Sequence, residues 1–150
     1  MVSLAIIGVL AAIVIPNLWG GRDSARDAKR RADLSTLGRF MLLSCFTPAA
    51  GAGDYDLATV AQELIVKNPS YASYLGKVPQ DPKTGSETES GYRYQVSAAG
   101  KCVLYANLER AEEPITLPAI ATPTPGGGTG VLEAAEIGPN GTRKYFEFSN

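Results

Sequence analysis

The sequence MVSLAIIGVLAAIVI, residues 1–15, is followed by Pro16 and decides the fold of this chain. It contains no charged side chain, and Ser3 is its only clearly polar one. A helix of this length reaches about 22 Å, whereas a bilayer core of about 30 Å requires about 20 residues. We therefore expect a membrane helix whose first residues lie upstream of Met1. A signal-peptide core or a helix buried in a globular domain agrees less well with so uniform an apolar segment.

Small residues recur at helical spacing within this segment. Ala5, Gly8 and Ala12 stand at i, i+3 and i+7, so they form a face on which another helix can pack closely. Gly8 loosens a helix, and Pro16 removes the hydrogen bond to the carbonyl of Ala12. The sequence therefore predicts a kink or a locally melted zone from Gly8 to Pro16. The expected membrane and filament-core residues are Leu4, Ala5, Ile6, Ile7, Gly8, Val9, Leu10, Ala11, Ala12, Ile13, Val14 and Ile15.

The string SLAIIGVLAAIVIPNL, residues 3–18, resembles the N-terminal signature of type IV pilins and the related pseudopilins. In that family a prepilin peptidase removes a short basic leader. The mature chain then opens with a phenylalanine-like residue and has a glutamate a few positions later, and both positions would fall upstream of Met1. The resemblance implies a structural subunit that waits in the membrane and then stacks with copies of itself.

The composition changes abruptly after the first 46 residues. Beyond that point lie nine of the ten prolines and twelve of the sixteen glycines. We therefore expect an α+β fold with two parts. Residues 1–46 form a helical arm, of which residues 1–18 are the membrane or filament-core segment, and residues 47–150 form a head in which a small antiparallel sheet packs on the arm.

The whole chain has 150 residues, a net charge of −1 and no histidine. Histidine is the commonest general base and metal ligand, so we expect no catalytic site, no metal site and no cofactor. A near-neutral charge gives no general attraction for nucleic acid. A membrane-tethered module for DNA uptake or adhesion would need an exposed basic patch, and Arg143 and Lys144 beside Tyr145 form too small a cluster.

The arm is predicted to continue as a helix over residues 17–46, with charged residues between Arg22 and Arg39. Pairs of Asp27 with Arg31 and of Lys29 with Asp33 are expected at i, i+4. Either the charges form a solvated helix face, or they pair between neighbouring subunits. Basic residues this close to a membrane segment usually mark the cytoplasmic side. An outward-facing head therefore requires a basic leader upstream.

The head is predicted to contain a short helix, a hairpin and a last strand. Asp54 or Asp56 can cap a helix over residues 57–67. The strands are indicated by alternating apolar residues. The hairpin comprises Tyr92–Val96 and Lys101–Glu109, and the last strand comprises Arg143–Phe148.

Residues 79–90 form a loop by their content of Pro, Gly and polar residues. The pattern DPxxG followed by GYxY, at residues 81–85 and 91–94, resembles the loop before the sheet in many pilins and pseudopilins, including those of type II secretion. In some pseudopilins that region binds calcium. Asp81, Glu87 and Glu89 are the only carboxylates in this loop, whereas calcium takes about six to eight oxygen ligands. We therefore expect a solvated loop without a metal.

Residues 114–130 are rich in Pro, Thr and Gly, which predicts a flexible linker. Thr122 and Thr124 within it are candidates for carrying sugars. Asn140 begins the sequence Asn-Gly-Thr, which has the N-glycosylation pattern. Such short patterns are frequent by chance, so the sequence alone does not establish glycosylation at these residues.

Cys45 and Cys102 are 57 positions apart and lie outside any CxxC motif. Without histidine nearby in the sequence, a disulfide formed in an oxidising compartment explains them better than a zinc site or a reactive thiol. Such a bond would staple the arm to the sheet and stabilise the head by about 4 kcal/mol. The alternative is two separate buried thiols.

We interpret the chain as the subunit of a type IV pilus-like surface filament. A type II secretion pseudopilin or a minor pilin is the alternative. The expected partners are copies of the chain in a helical homopolymer, the inner-membrane assembly machinery and, before assembly, the lipid bilayer, with no nucleic acid required. The expected location is the inner membrane before assembly and an extracellular filament afterwards.

Overall fold

The fold is taken from a computed structural model that describes the backbone of residues 2–149 and the side chains of residues 21–149. Over this range a long helix, α1 (Val2–Met41), packs through its C-terminal half on a five-stranded antiparallel sheet. The predicted α+β class is confirmed. The helix ends at Met41 rather than at residue 46, and the chain then turns so that Cys45 reaches the sheet.

The strands of the described sheet are β1 (Gly53–Asp56), β2 (Arg93–Val96), β3 (Cys102–Asn107), β4 (Gly130–Glu133) and β5 (Lys144–Ser149). All of their pairs are antiparallel, in the order β1-β2-β3-β5-β4. The predicted hairpin and last strand are present as β2, β3 and β5, whereas β1 and β4 are additional.

The predicted short helix is α2 (Leu57–Lys67). Its N-cap is Asp56, whose carboxylate accepts a hydrogen bond from the Ala58 N–H at 2.8 Å. A 3₁₀ turn over Pro69–Tyr71 and the short helix α3 (Ala72–Leu75) follow. These elements cover the flank of the head where β1 and β2 lie, since α2 contacts both strands.

The core lies between α1 and the inner face of the sheet. From α1 it receives Leu34, Leu37 and Met41. From the hairpin it receives alternate residues that stand opposite one another, such as Tyr94 and Leu104. Each large apolar side chain that is fully buried contributes about 1.5–3 kcal/mol, so this interface is the main source of the stability of the head.

Residues 114–129, which we call the strap, lie against β4 and β5. The N–H groups of Thr116 and Leu117 both donate to the Val131 carbonyl at 2.9 Å. The N–H of Thr124 donates to the buried carboxylate of Glu147 at 2.9 Å. The segment predicted to be a flexible linker is therefore bonded to β4 and β5 along its length.

The sheet has a defined direction relative to α1. The Cys45–Cys102 disulfide holds the start of β3 at the C-terminal end of α1. Just beyond the end of β3, the N–H of Glu109 donates to the carboxylate of Asp27 at 2.9 Å. Strand β3 therefore runs back along α1. We call the end of the head that lies next to Cys45 the distal end, and the end that lies next to Asp27 the proximal end.

Candidate functional site: the junction between arm and head

Two charged residues lie on the face that α1 buries against the head. Asp27 is 1% exposed and Arg30 is 0% exposed. They continue the line of buried apolar residues Leu34, Leu37 and Met41 toward the proximal end. Because an isolated buried charge costs several kcal/mol, both side chains require close partners.

Those partners form the ion cluster, which we define as Arg26, Asp27, Arg30, Asp81 and Glu109. The Arg30 guanidinium lies at its centre. Its Nε and Nη2 donate to the two carboxylate oxygens of Asp81 at 2.6 and 2.9 Å, a bidentate arrangement that fixes the relative orientation of both groups. Its Nη1 lies 2.7 Å from a carboxylate oxygen of Asp27 and 2.7 Å from one of Glu109. One side chain thus joins α1 to the loop before β2 and to the segment after β3.

Backbone N–H groups complete the hydrogen bonding of the two aspartates. Asp27 accepts from the N–H groups of Glu109 and Arg110 at 2.9 and 3.0 Å. Asp81 accepts from the N–H groups of Lys83 and Thr84 at 2.8 and 3.1 Å, which closes a turn within its own loop. The carboxylates therefore position the backbone of both segments as well as pairing with Arg30.

The edge of the cluster is formed by Arg26, one turn earlier on α1. Its Nε and Nη2 donate to the two carboxylate oxygens of Glu109, each at 2.7 Å. The same guanidinium donates to Asp23 at 2.5 Å. Glu109 is thus shared between two arginines, and this makes it the link between successive turns of α1.

The cluster lowers the pKa of two of its carboxylates, Asp81 and Glu109. Burial alone would raise the pKa of Asp81, but the hydrogen bonds from Arg30 and from two backbone N–H groups outweigh burial and lower it to about 2. The hydrogen bond from Arg26 is the main cause that lowers the pKa of Glu109 to about 2. For Arg30, burial favours the neutral form, but the hydrogen bonds with Asp81 and Glu109 prevail and raise the pKa. Asp81, Glu109 and Arg30 are therefore charged at neutral pH, and the cluster acts as a structural joint.

Asn140 is hydrogen-bonded to the ion cluster. This residue is 4% exposed, and its Nδ2 donates to the Asn107 carbonyl at 2.8 Å and to Asp81 at 3.3 Å. Two residues later, the Thr142 hydroxyl donates to the Leu108 carbonyl at 2.6 Å. The amide nitrogen that N-glycosylation would modify is thus buried and bonded in the folded head. The geometry of this Asn-Gly-Thr sequence supports a structural role.

The distal end is held covalently. Cys45 and Cys102 form a disulfide with a Cα–Cα distance of 5.7 Å, so the structure contains the predicted pair. The disulfide and the ion cluster lie about 20 Å apart along the axis of α1. The arm is therefore attached to the head near both ends of their interface.

Several predicted residues precede residue 21, where the side chains lie outside the described part of the chain. They are the membrane and filament-core residues Leu4 to Ile15 and the helix break at Gly8 and Pro16, all of which stay predictions. Among the described residues, no helix is both long enough and apolar enough to cross a membrane. Thr122 and Thr124 are exposed on the strap, and their glycosylation also stays a prediction.

The loop of residues 79–90 is present, but it is not solvated throughout. Glu87 and Glu89 are exposed, as expected, whereas Asp81 turns inward to Arg30. The expectation of a wholly solvated loop is therefore wrong for Asp81, because this carboxylate is the counter-charge of a buried arginine. In the described part of the chain, no group of three or more His, Cys, Asp or Glu side chains could hold a metal ion.

The charge pairs predicted on α1 are only partly present. Lys29 and Asp33 pair at 2.6 Å, as predicted. The predicted pair of Asp27 with Arg31 is wrong, because Asp27 faces inward and pairs with Arg30 at 2.7 Å. For Asp27 and Arg30 neither a solvated face nor pairing between subunits applies, since this buried pair lies within one subunit.

The sequence contains a signal that could have identified the buried pair. Positions 27, 30, 34, 37 and 41 alternate steps of three and four residues, the spacing of one helical face. The last three positions are apolar, so the face that they define runs through Asp27 and Arg30. Charged residues that interrupt a buried face predict partners elsewhere in the chain, although they do not identify those partners.

Two curated proteins are similar to this chain. The type II secretion system core protein G of Klebsiella pneumoniae is 32% identical over 87 residues, which cover 55% of this chain and 62% of the relative. The protein of the same name from Vibrio cholerae serotype O1 is 29% identical over 86 residues, which cover 55% of this chain and 59% of the relative. The chain thus spans about three-fifths of the length of these curated relatives.

Core protein G is the major pseudopilin of its secretion system. The resemblance to type IV pilins and pseudopilins is therefore confirmed by homologues at modest identity over about half of the chain. No family model matches the chain. No solved structure matches it significantly.

Proposed function

We propose that this chain is a pilin-like subunit that polymerises through its N-terminal helix into a filament of the type II secretion class. The observation that carries the proposal is the 32% identity to type II secretion system core protein G over 87 residues. Both curated relatives are pseudopilins, which are structural subunits and not enzymes. A structural role also agrees with the chain's lack of histidine.

This proposal changes the interpretation that the sequence alone favours. The N-terminal signature is shared by surface pilins and secretion pseudopilins, so it does not separate them. The comparisons support the pseudopilin alternative better than a surface type IV pilus. We accordingly propose an inner-membrane location before assembly and a periplasmic filament afterwards, rather than an extracellular fimbrium.

The proposed assembly depends on apolar burial by the arm. Residues 4–15 are uniformly apolar, and such a surface avoids water equally well in lipid and in the core of a filament. Burial of that surface contributes about 25 cal/mol per Å², so transfer from membrane to filament exchanges one apolar environment for another. The proposed partners are copies of this chain, the inner-membrane assembly machinery and the bilayer before assembly. No nucleic acid is required.

The junction between arm and head supports this function mechanically. The ion cluster holds the proximal end of the head to α1, and the disulfide holds the distal end. A head attached in this way follows the position and rotation of its arm. Packing of arms in a filament would therefore determine where the heads lie.

Deletion of the gene tests the proposal. We expect the exported proteins of the host to accumulate in the periplasm, with no change in the filaments that shearing releases from the cell surface. The full chain should restore export, whereas a matched variant that lacks residues 4–15 should not. Normal export together with loss of sheared surface filaments would overturn the secretion assignment in favour of a type IV pilus.

A further inference from the structure

We propose that Glu147 and the central part of the strap, residues 120–128, form a pH-sensitive latch. While Glu147 carries a proton, the strap lies closed on its carboxyl group. When Glu147 loses this proton, the strap opens locally and lets water reach the carboxylate. The latch belongs to the head alone, so it goes beyond the proposed function and does not depend on the filament.

The carboxyl group of Glu147 is buried between β5 and the strap. Glu147 is 0% exposed, and its Oε2 accepts a hydrogen bond from the Thr124 N–H at 2.9 Å. Its Oε1 is buried without a hydrogen-bond partner in the part of the chain that the structure describes. A Cβ placed on Gly127 would lie only 2.6 Å from this oxygen, so the backbone of the strap rests directly against it. An ionised carboxylate at this position would lose the hydration that it has in water, at a high cost in free energy.

Neither the strap nor β3 supplies a charge that would compensate an ionised Glu147. Residues 114–129 contain no charged side chain. Tyr105 stands opposite Glu147 on β3, but its hydroxyl donates to Asp54. Lys101, just before β3, is exposed and lies against the glycines of the strap rather than pairing with Glu147.

The charged side chains of β4 and β5 are paired with each other. Glu133 of β4 pairs with Lys144 of β5 at 2.8 Å. Tyr145, two residues before Glu147, stays uncharged because burial raises its pKa further. Burial is thus the main influence on Glu147 and raises its pKa, and the N–H of Thr124 opposes it. The closed strap therefore retains the proton at pH values at which an open strap would release it.

The central part of the strap can open while the sheet stays folded. Besides its bond to Glu147, it is attached to β5 through the N–H of Gly126, which donates to the Ser149 hydroxyl at 2.7 Å. Gly126 and Gly128 have φ angles of +85° and +105°, a backbone region that glycine enters readily. Residues 116–117, which precede this part, are bonded to β4 and not to Glu147. Opening can therefore be confined to the segment that lies on the carboxyl group.

Opening and the release of one proton are linked. An open strap returns Glu147 to water, where its pKa is the ordinary 4.5, whereas the closed strap holds the pKa above this value. Between these two pKa values, the ratio of open to closed strap should rise by up to about tenfold for each pH unit. Above the raised pKa the ratio should become constant.

Amide hydrogen exchange of the full chain in a mild detergent tests the latch. Wild type and Glu147→Gln are compared at each pH, so the chemical pH dependence of exchange cancels. We expect the N–H of Gly126 to lose protection in the wild type relative to the variant, by up to about tenfold per pH unit above 4.5. The N–H of Leu108, which donates to the Lys144 carbonyl at 2.8 Å, should be equally protected in both chains.

Glu133→Gln is the matched control, because it removes a carboxylate from the neighbouring strand β4 that is paired with a lysine. It should keep the pH dependence of the wild-type strap. Equal exchange of Gly126 in wild type and Glu147→Gln at every pH overturns the latch. A loss of protection at Leu108 as large as that at Gly126 overturns it as well, since it shows unfolding of the whole head.

A second measurement decides the matter if Glu147→Gln does not fold. In the wild type, NMR titration of the Glu147 carboxyl carbon should give a midpoint above 4.5 that the amides of residues 120–128 share. A midpoint at or below 4.5 overturns the latch. Such a failure leaves the proposed function standing, because neither measurement depends on filaments or on export.

Discussion

Replacement of Arg30 by methionine tests whether the ion cluster joins the arm to the head. The variant keeps most of the side-chain volume but leaves Asp27, Asp81 and Glu109 without their shared buried cation. Removal of one partner from a buried ion pair costs about 3–5 kcal/mol. The pKa of Asp81 gives a second value for this cost. Its fall from 3.8 to about 2 corresponds to roughly 2.5 kcal/mol of stability at neutral pH. We expect Arg30→Met to lower the free energy of unfolding at pH 7 by about 3 kcal/mol.

The loss of stability caused by Arg30→Met should become smaller as pH falls. Asp81 and Glu109 have pKa values below their ordinary values of 3.8 and 4.5 in the folded chain. They stabilise the wild type above those ordinary values, and this stabilisation is lost as pH falls toward about 2. Without Arg30 the buried carboxylates bind protons more readily, and protonation removes their uncompensated charge. The difference between the two chains should therefore be largest above about pH 5 and smaller near pH 3.

Denaturant unfolding of the full chain in a mild detergent measures this difference, with near-ultraviolet circular dichroism of the buried Tyr92 and Tyr94 as the signal. Arg93→Met is the matched control, because Arg93 pairs with Asp54 while their side chains are 42% and 39% exposed. Such an exposed pair is worth about 1 kcal/mol or less. A loss below about 1 kcal/mol for Arg30→Met, or an equal loss at pH 7 and pH 3, would refute the role of the cluster.

Three further predictions concern the rest of the head. Cys45→Ala with Cys102→Ala should lower the free energy of unfolding by about 4 kcal/mol, and an unchanged denaturant midpoint would contradict the loop-closure argument. Leu34→Ala should cost about 2–5 kcal/mol because Leu34 is fully buried, and a loss of less than about 1 kcal/mol would exclude its place in the core. Burial raises the pKa of Glu147, so the wild type should lose stability as pH rises from 4.5 through the raised value. Glu147→Gln should remove that loss and be the more stable chain at pH 8, and equal pH profiles for the two chains would argue against a buried acid under the strap.

The elements that could be predicted from the sequence are those with local signals. Asp56 caps α2 by accepting a hydrogen bond from the Ala58 N–H in the first turn of the helix, and Pro69 follows the end of the helix. Strand β2 is recognised by alternation because one of its faces is buried. Strand β3 is recognised by its alternate apolar residues, although nearly all of its residues are buried. The missed strands β1 and β4 have four residues each and contain glycine or acidic residues, which have low strand propensity. They exist because β2 and β5 offer edges for pairing, which is a non-local cause.

The ion cluster could be predicted only in part. The helical face that includes Asp27 and Arg30 is visible in the spacing of buried positions. Its partners are not visible, because Asp81 is 51 positions from Arg30, and Glu109 is 82 positions from Asp27. Which of the basic residues of α1 meets these carboxylates depends on the direction in which β3 runs along the helix. That direction is set by the disulfide and the core together, after the chain has folded.

The ion cluster holds the loop between β4 and β5 as well as the loop before β2. Asn140 lies in the loop between β4 and β5, and its amide donates to Asp81, which Arg30 holds on α1. At the other end, Cys45 ties the chain just after α1 to the start of β3. Both ends of the head are therefore fixed to the same arm, one through an ionic cluster and the other through a covalent bond. A filament built on packed arms would then hold its heads at a constant spacing, because neither end of the head can move independently of the arm.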